Sequence, residues 1–200
     1  MPVPLVLASH NAHKLVELRT ILGPRLEGIE LVGYDGPEPV EDGSTFEANA
    51  LIKARAAAEH TGLPAIADDS GIAVDALDGA PGIHSARYAG TRLDADNRDL
   101  LLERMTGVAD RAAQFVCAAA LVVPATDGHP SFEHVESGVW AGSVLHEAAG
   151  SGGFGYDPIF KPAGYTVSAA ELRADEKNAV SHRAVAFGLL LEAVRRQLLA

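Results

Sequence analysis

The apolar run Pro4-Leu5-Val6-Leu7-Ala8 gives way directly to Ser9-His10-Asn11, after which Leu15, Leu18, Ile21 and Leu22 return at helical spacing until Gly23-Pro24. A short apolar run suits a buried strand, and apolar residues three and four apart suit one face of a helix. Strand, polar loop and helix in that order put Ser9-His10-Asn11-Ala12-His13-Lys14 where a strand hands over to a helix N-terminus. Free backbone N–H groups and the helix dipole favour an anion there, and Lys14 has the reach to meet a phosphate. The competing reading makes Asn11 an N-cap and Lys14 a solvated side chain. The glycines of a P-loop are missing.

The pattern continues. Ile29 to Val32 reads as a second strand, and the Gly- and Pro-containing stretch from Gly33 to Gly43 as a loop delivering Glu41 and Asp42. Ser44 and Glu47 have capping-box spacing before an Ala-rich helix expected over Thr45 to Thr61, which Gly62 and Pro64 close. Ala65-Ile66-Ala67 is expected as a short buried strand ending at two aspartates, with only imperfect alternation from Ile72 to Leu77. Asp94 to Met105 reads as helix and Gln114 to Val123 as a buried strand; Phe132 to Trp140 is expected to pair with that strand across Asp127-Gly128. Gly150 to Gly155 is a glycine-rich loop. An amphipathic helix starts near Ser181 and shows Phe187, Leu190, Leu191, Val194 and Leu198 on one face. Neither a repeat nor a linker marks a boundary, so residues 1–200 are expected to form a single domain.

With 48% hydrophobic and 22% charged residues the chain is expected to fold around a continuous core. Its formal charge of −11 argues against stable binding to nucleic acid or anionic membrane, which needs an excess of Lys and Arg. An anionic ligand must therefore meet locally clustered cations or a metal. Cys117 is the only cysteine, so an internal disulfide and a cysteine zinc cluster are both excluded, and a reduced cytoplasm fits best. Met1 to Ala8 lacks the length and basic flank of a signal peptide, and no apolar run approaches the roughly 20 residues of a membrane span, so a soluble protein is expected.

Chemistry gathers at the ends of these elements. Glu41, Asp68 and Asp69 are hard oxygen donors suited to Mg2+, which takes one or two carboxylates and leaves other positions to water and phosphates. If strand geometry persists, adjacent aspartates point to opposite sides, so one can ligate metal while the other orients water or a lysine. A solvated Asp-Asp-Ser-Gly turn is the bland alternative. Asn49 and Lys53 are four apart on one helical face, although an exposed lysine is the ordinary fate of such a residue. Arg87, after the Gly79-Ala80-Pro81-Gly82 loop, either binds phosphate or, as the favoured reading, locks that loop by an ion pair. In Gly150 to Pro158 the glycines allow close backbone approach, Phe154 and Tyr156 offer rings for a base, and Asp157 can accept a base N–H. A turn that buries Phe154 or Tyr156 is the competing view. Lys177 and Ser181-His182-Arg183 bring cations to a helix start, with surface capping as the alternative.

The ordered set SHNAHK from Ser9, TFEANALIKA from Thr45, ADDSGIAVDAL from Ala67, GAPGIHSARYAG from Gly79, GSGGFGYDPIF from Gly150 and SHRA from Ser181 resembles the inosine triphosphate or non-canonical purine triphosphate pyrophosphatases, the HAM1-like family. The resemblance spans nearly the whole chain. It implies an α/β fold related to that of the Maf proteins, with a mixed, elongated central sheet flanked by helices and two lobes around a nucleotide cleft, assembled as a homodimer. The implied reaction splits a purine nucleoside triphosphate between the α and β phosphates, giving monophosphate and pyrophosphate, with ITP, dITP and XTP as substrates.

By matching positions, the resemblance makes Glu41 and Asp69 magnesium ligands and Asp69 also the proton acceptor. Ser9, His10, Asn11, Ala12, His13, Lys14, Lys53 and Ser70 fall on the triphosphate side. Phe154, Gly155, Tyr156, Asp157, Lys177, His182 and Arg183 fall on the nucleoside side. Two positions depart from the pattern: Ala48 stands where many members carry Glu, with Glu47 one place earlier, and His13 stands where several carry Gly. A carboxylate bound directly to magnesium is a weak base, so Asp68 is a rival to Asp69 for the proton. The rival functions are a Maf-like pyrophosphatase for pyrimidine or modified nucleotides and a non-catalytic nucleotide-binding regulator.

Overall fold

A computed structural model of the chain describes residues 1–126, 128 and 130–199, and of Ala12 and His13 the backbone alone. The first residue of the turn expected at Asp127-Gly128 lies outside the described residues. β1 (Val3–Leu7) and β2 (Ile29–Val32) pair in parallel, Val3 opposite Ile29 and Val6 opposite Val32. A parallel pair needs a crossover, and α1 (Ala12–Leu22) with the 3-10 turn Gly23–Leu26 supplies it. α2 (Phe46–Thr61) lies between β2 and β3 (Ala65–Val74) in sequence, and β3 pairs in parallel with β1, Val6 opposite Ala65. α3 (Asp94–Arg104), β4 (Ala112–Val123), β5 (Phe132–Val144), β6 (Phe160–Pro162), α4 (Ala174–Val180) and α5 (His182–Leu198) complete the order. The six strands form one sheet in the order β2-β1-β3-β4-β5-β6, and β5 and β6 are antiparallel, so the sheet is mixed and the class is α/β.

Two compact units divide the chain. Unit 1 holds Met1–Asp69, Cys117–Gly138 and Arg183–Ala200, and unit 2 holds Ser70–Val116 and Val139–His182. The period of two along the strands builds the core of unit 1 on two faces. Leu5, Leu7, Ile66, Cys117, Ala119 and Leu121 pack with Leu18 of α1 and Phe187, Leu190, Leu191 and Val194 of α5. Val6, Ala65, Ala67, Ala118, Ala120 and Val122 pack instead with Ala50, Ala54, Ala57 and Ala58 of α2. In unit 2, Ile72, Val74, Leu101, Met105, Phe115, Trp140, Ile159 and Phe160 form a separate cluster.

Three local expectations are corrected. The cap of α2 is Thr45, whose Oγ1 accepts from the Ala48 N–H at 3.1 Å, one place after the Ser44 implied by the capping-box spacing. Gly62 closes the same helix at φ 67°, a left-handed position that glycine takes without strain. β3 does not stop at Asp68; it continues to Val74 because the polar residues find partners. Beyond them Gly71 admits the Gly82 carbonyl and Ser85 Oγ, where a Cβ would collide with both, and the Ile72 N–H donates to that Ser85 Oγ at 3.0 Å. Arg87 is exposed and makes no ion pair among the described residues; Ser85 and Asn97, through its bonds to Ala89 N–H and Ala86 C=O, hold its loop instead.

Candidate active site

Strand periodicity decides where the two aspartates look. Asp68 shares the face of Ile66, towards α1 and α5, and Asp69 shares the face of Ala67, towards α2. Lys14 Nζ of α1 donates to Asp68 Oδ1 at 2.9 Å, and Arg183 of α5 donates to Asp68 Oδ2 at 3.2 Å and to Glu17 Oε2 at 3.0 Å. Burial alone would raise the Asp68 carboxyl, but Lys14 and Arg183 more than offset it and hold the group well below the usual carboxylate range. A carboxylate kept ionised by two cations is a weak base. Its geometry suits it to aim Lys14.

On the other face Lys53 Nζ donates to both Glu41 Oε2, at 3.0 Å, and Asp69 Oδ1, at 3.2 Å. Asn49, one turn earlier, donates from Nδ2 to Asp69 Oδ2 at 3.1 Å and accepts from the Gly43 N–H at 2.9 Å, so one buried amide ties the Glu41 loop to β3. Gly43 leaves no room for a side chain: a Cβ would lie 2.6 Å from Asn49 Oδ1 and 2.8 Å from Ala48 Cβ. Burial raises the Asp69 carboxyl, and Lys53 only partly counters it. Two carboxylates thus share one ammonium. That excess of negative charge, carried by hard oxygens that converge on one point, fits a magnesium ion, which needs no more than one or two protein carboxylates. Among the described residues no group of three or more His, Cys, Asp or Glu is arranged to hold a metal. Glu47 turns elsewhere and accepts from Ser137 Oγ at 3.1 Å.

The phosphate-loop candidates divide. Ser9 Oγ accepts from the Asn11 N–H at 3.2 Å, and the Asn11 carbonyl accepts from the Lys14 N–H at 3.0 Å, which turns the loop into α1. His10 points to the loop after β2, bonding Glu38 and Gly36. The side chains of Ala12 and His13 lie outside those described. Ser70 is half-buried and follows Asp69 in β3, in unit 2.

Unit 2 gathers the rest. Phe154 is 52% exposed, with Lys177 Nζ 5.1 Å from its ring centroid, whereas Tyr156 takes the buried alternative and donates to the Ser85 carbonyl at 2.8 Å. Asp157, also buried, accepts from Lys177 Nζ and, at 2.8 Å, from the Phe154 N–H, so it shapes the loop from within. Gly153 is required there because a Cβ would strike the Asp157 carboxylate. Asp94 accepts from the Gly155 N–H at 2.7 Å and Arg98 donates to the Gly155 carbonyl at 3.1 Å, so two residues four apart on α3 grip both ends of one residue. His182 is buried and stacked on Phe115, centroids 4.8 Å apart, with Trp140 at 6.4 Å. Sequence reasoning missed Glu17, Asp94 and Arg98. The i, i+4 spacing of the last two was a usable signal; for Glu17 there was none.

The model of the Ham1 family matches residues 5–193. The chain belongs to the Ham1 family. It is 55% identical over 196 residues to a dITP/XTP pyrophosphatase of Leifsonia xyli subsp. xyli, covering 96% of each chain, and 52% identical to one of Streptomyces coelicolor, covering 97% of this chain and 98% of that one. Among solved structures it is similar to a HAM1 protein from Coxiella burnetii, with TM-score 0.86 and 42% identity over 97% of this chain and 99% of that one. Within this Ham1-family chain, Glu41, Asn49, Lys53 and Asp69 meet on one face of β3, Lys14, Asp68 and Arg183 on the other, and Phe154, Asp157 and Lys177 in unit 2.

Proposed function

We propose that the chain hydrolyses non-canonical purine nucleoside triphosphates, ITP, dITP and XTP, to the monophosphate and pyrophosphate, and that it depends on Mg2+. The observation that carries the reading is the shared ammonium of Lys53 between Glu41 and Asp69, in a chain more than half identical to a protein named dITP/XTP pyrophosphatase. Glu41 and Asp69 would hold the magnesium, which when bound offsets phosphate charge and orients phosphate oxygens. Lys53 keeps the two carboxylates together, and Lys14, aimed by Asp68, offers a cation to the triphosphate. Asp69 is assigned the proton by its matching position in the family, and Asp68, held ionised by its cations, is assigned to aim Lys14. In unit 2 the exposed ring of Phe154 offers a stacking face for the base, with Lys177 beside it.

The test is pyrophosphate release from ITP, XTP, dITP, GTP, ATP and dTTP, each with magnesium and with chelator. Release from the first three that is lost on chelation is expected. A preference for dTTP would instead favour a Maf-like enzyme, and no release from any would favour a nucleotide-binding regulator. A cytoplasmic homodimer completes the proposal, supported by the family resemblance and the single buried Cys117; sedimentation at monomer mass would overturn the dimer. Among the described residues no helix is long and apolar enough to cross a membrane.

A further inference from the structure

His10 sits in the loop between β1 and α1, and its ring bonds the 34–38 loop. Nδ1 lies 2.8 Å from Glu38 Oε1 and Nε2 lies 2.8 Å from the Gly36 carbonyl oxygen. A carbonyl and an ionised carboxylate can only accept, whereas a neutral imidazole has one donor and one acceptor. Both bonds therefore exist together only when both ring nitrogens carry a proton.

The receiving loop is built for this ring. Tyr34 stacks on His10 with centroids 5.6 Å apart and planes 27° apart, and its hydroxyl donates to the Pro37 carbonyl at 3.0 Å. His60, at the C-terminal end of α2, meets Tyr34 edge-on at 5.8 Å. Gly36 has no room for a Cβ, which would collide with Tyr34 Oη and lie 2.6 Å from His60 Cδ2. Among the described residues, the charged and titratable groups facing His10 are Glu38 and Asp35, both anionic when ionised, with Tyr34 against the ring and His60 beyond it.

We infer that His10 is a positioning residue, held as the imidazolium, that pins the Ser9–Asn11 turn at the start of α1 to the 34–38 loop by donating from both ring nitrogens. The hydrogen bond to Glu38 raises the imidazole above its ordinary value against the opposing effect of burial, with lesser contributions from Gly36 and Asp35. The sign is that of a group with a raised folded-state value: the clamp is complete below the ordinary histidine pKa and is lost as pH rises through the raised one. Loss of one proton leaves a lone pair facing an oxygen, so one arm opens and the turn that leads into α1, three residues before Lys14, loosens.

The consequence for substrate rests on the proposed function; the clamp itself does not. NMR titration of His10 Cε1–H in the full chain should give a midpoint above about 6.5, lowered in Glu38→Gln. The KM for ITP should rise about two- to tenfold across that midpoint, the worth of one exposed hydrogen bond, with no matching step in kcat. The KM step should move with the NMR midpoint in Glu38→Gln and disappear in His10→Arg, whose charge does not titrate. A wild-type midpoint at or below the ordinary value, or one indifferent to Glu38→Gln, overturns the clamp. A KM blind to the midpoint overturns its positioning role. Absence of turnover counts against the proposed function, while the NMR comparison still decides the clamp.

Discussion

Asp68 and Asp69 are neighbours in one strand and live in opposite electrostatic worlds. On the Asp68 face two carboxylates, Asp68 and Glu17, meet two cations, Lys14 and Arg183. On the Asp69 face two carboxylates, Asp69 and Glu41, share Lys53 as their ion-pair partner among the described residues. The balanced face has the composition of a support, and the unbalanced face that of a site for added cation and proton chemistry. The sharpest way to break this contrast is Asp69→Asn, which keeps the shape and removes a carboxylate. Pyrophosphate release should fall by about 10²–10⁴, the usual worth of a general base. Thermal stability in chelator should hold or rise, because burial already disfavours the ionised form of Asp69. Substantial turnover with magnesium would end its assignment.

Asp68→Asn should show the reverse emphasis, with stability as the main loss. It takes from Arg183, 3% exposed, the Asp68 ion pair and keeps the one to Glu17, and breaking a buried pair costs about 3 kcal/mol or more. For a chain of this size that is a fall in Tm of roughly 2–4 °C for each kcal/mol. Because the folded-state Asp68 carboxyl is depressed, its contribution is present above the unfolded value of about 3.9 and is lost as pH falls through the lower folded value. The Tm gap between the wild type and Asp68→Asn, measured in chelator, should therefore be full at neutral pH and close in acid. A gap that widens on acidification would show that Asp68 is not held ionised.

Asn49→Ala should fall between these and zero. It cuts the bond to Asp69 and the bond from Gly43, leaving a half-buried carboxylate with one partner fewer, for a stability loss of about 1–3 kcal/mol that lowers Tm. The magnesium concentration for half-maximal activity should rise, since the Glu41 loop loses its tie to β3. The same change at Asn97, which holds the Ala86–Ala89 turn in unit 2, should cost stability without altering that concentration.

How much of this was legible follows from distance along the chain. The i, i+4 spacing placed Asn49 and Lys53 on one side of α2, and strand alternation placed the two aspartates on opposite faces, because both rules are local. Local rules also misjudged β3: four polar or small residues, Asp68 to Gly71, read as its end, yet the strand persists. Its partners are Lys14, 54 positions before Asp68, and Arg183, 115 positions after it. Such compensation has no local signature. Ser44 and Thr45 were both competent caps, and only the bond to Ala48 separates them. β6 and α4 are too short for periodicity to declare. His10 was grouped with the phosphate loop by sequence adjacency; Gly36 and Glu38, 26 and 28 positions away, turn it elsewhere.

The smallest expected effect tests the charge count itself. If a third carboxylate joined Glu41 and Asp69, the contrast between the two faces would be deeper than drawn, and Glu47, on the first turn of α2 one place before Ala48, is a candidate. Its carboxylate instead accepts from Ser137, and its pKa is lowered by its own backbone N–H, against a smaller opposing effect of burial, with the Thr45 and Ser137 hydroxyls adding to the lowering; no cation is among the causes. Glu47→Gln preserves an acceptor for Ser137 and removes only the charge. Stability should therefore change by less than about 0.5 kcal/mol, as for surface positions generally. The magnesium requirement should stay where the wild type has it. A rise of tenfold or more in the magnesium needed for half-maximal activity would place Glu47 in the cation's field and make the Asp69 face a three-carboxylate site.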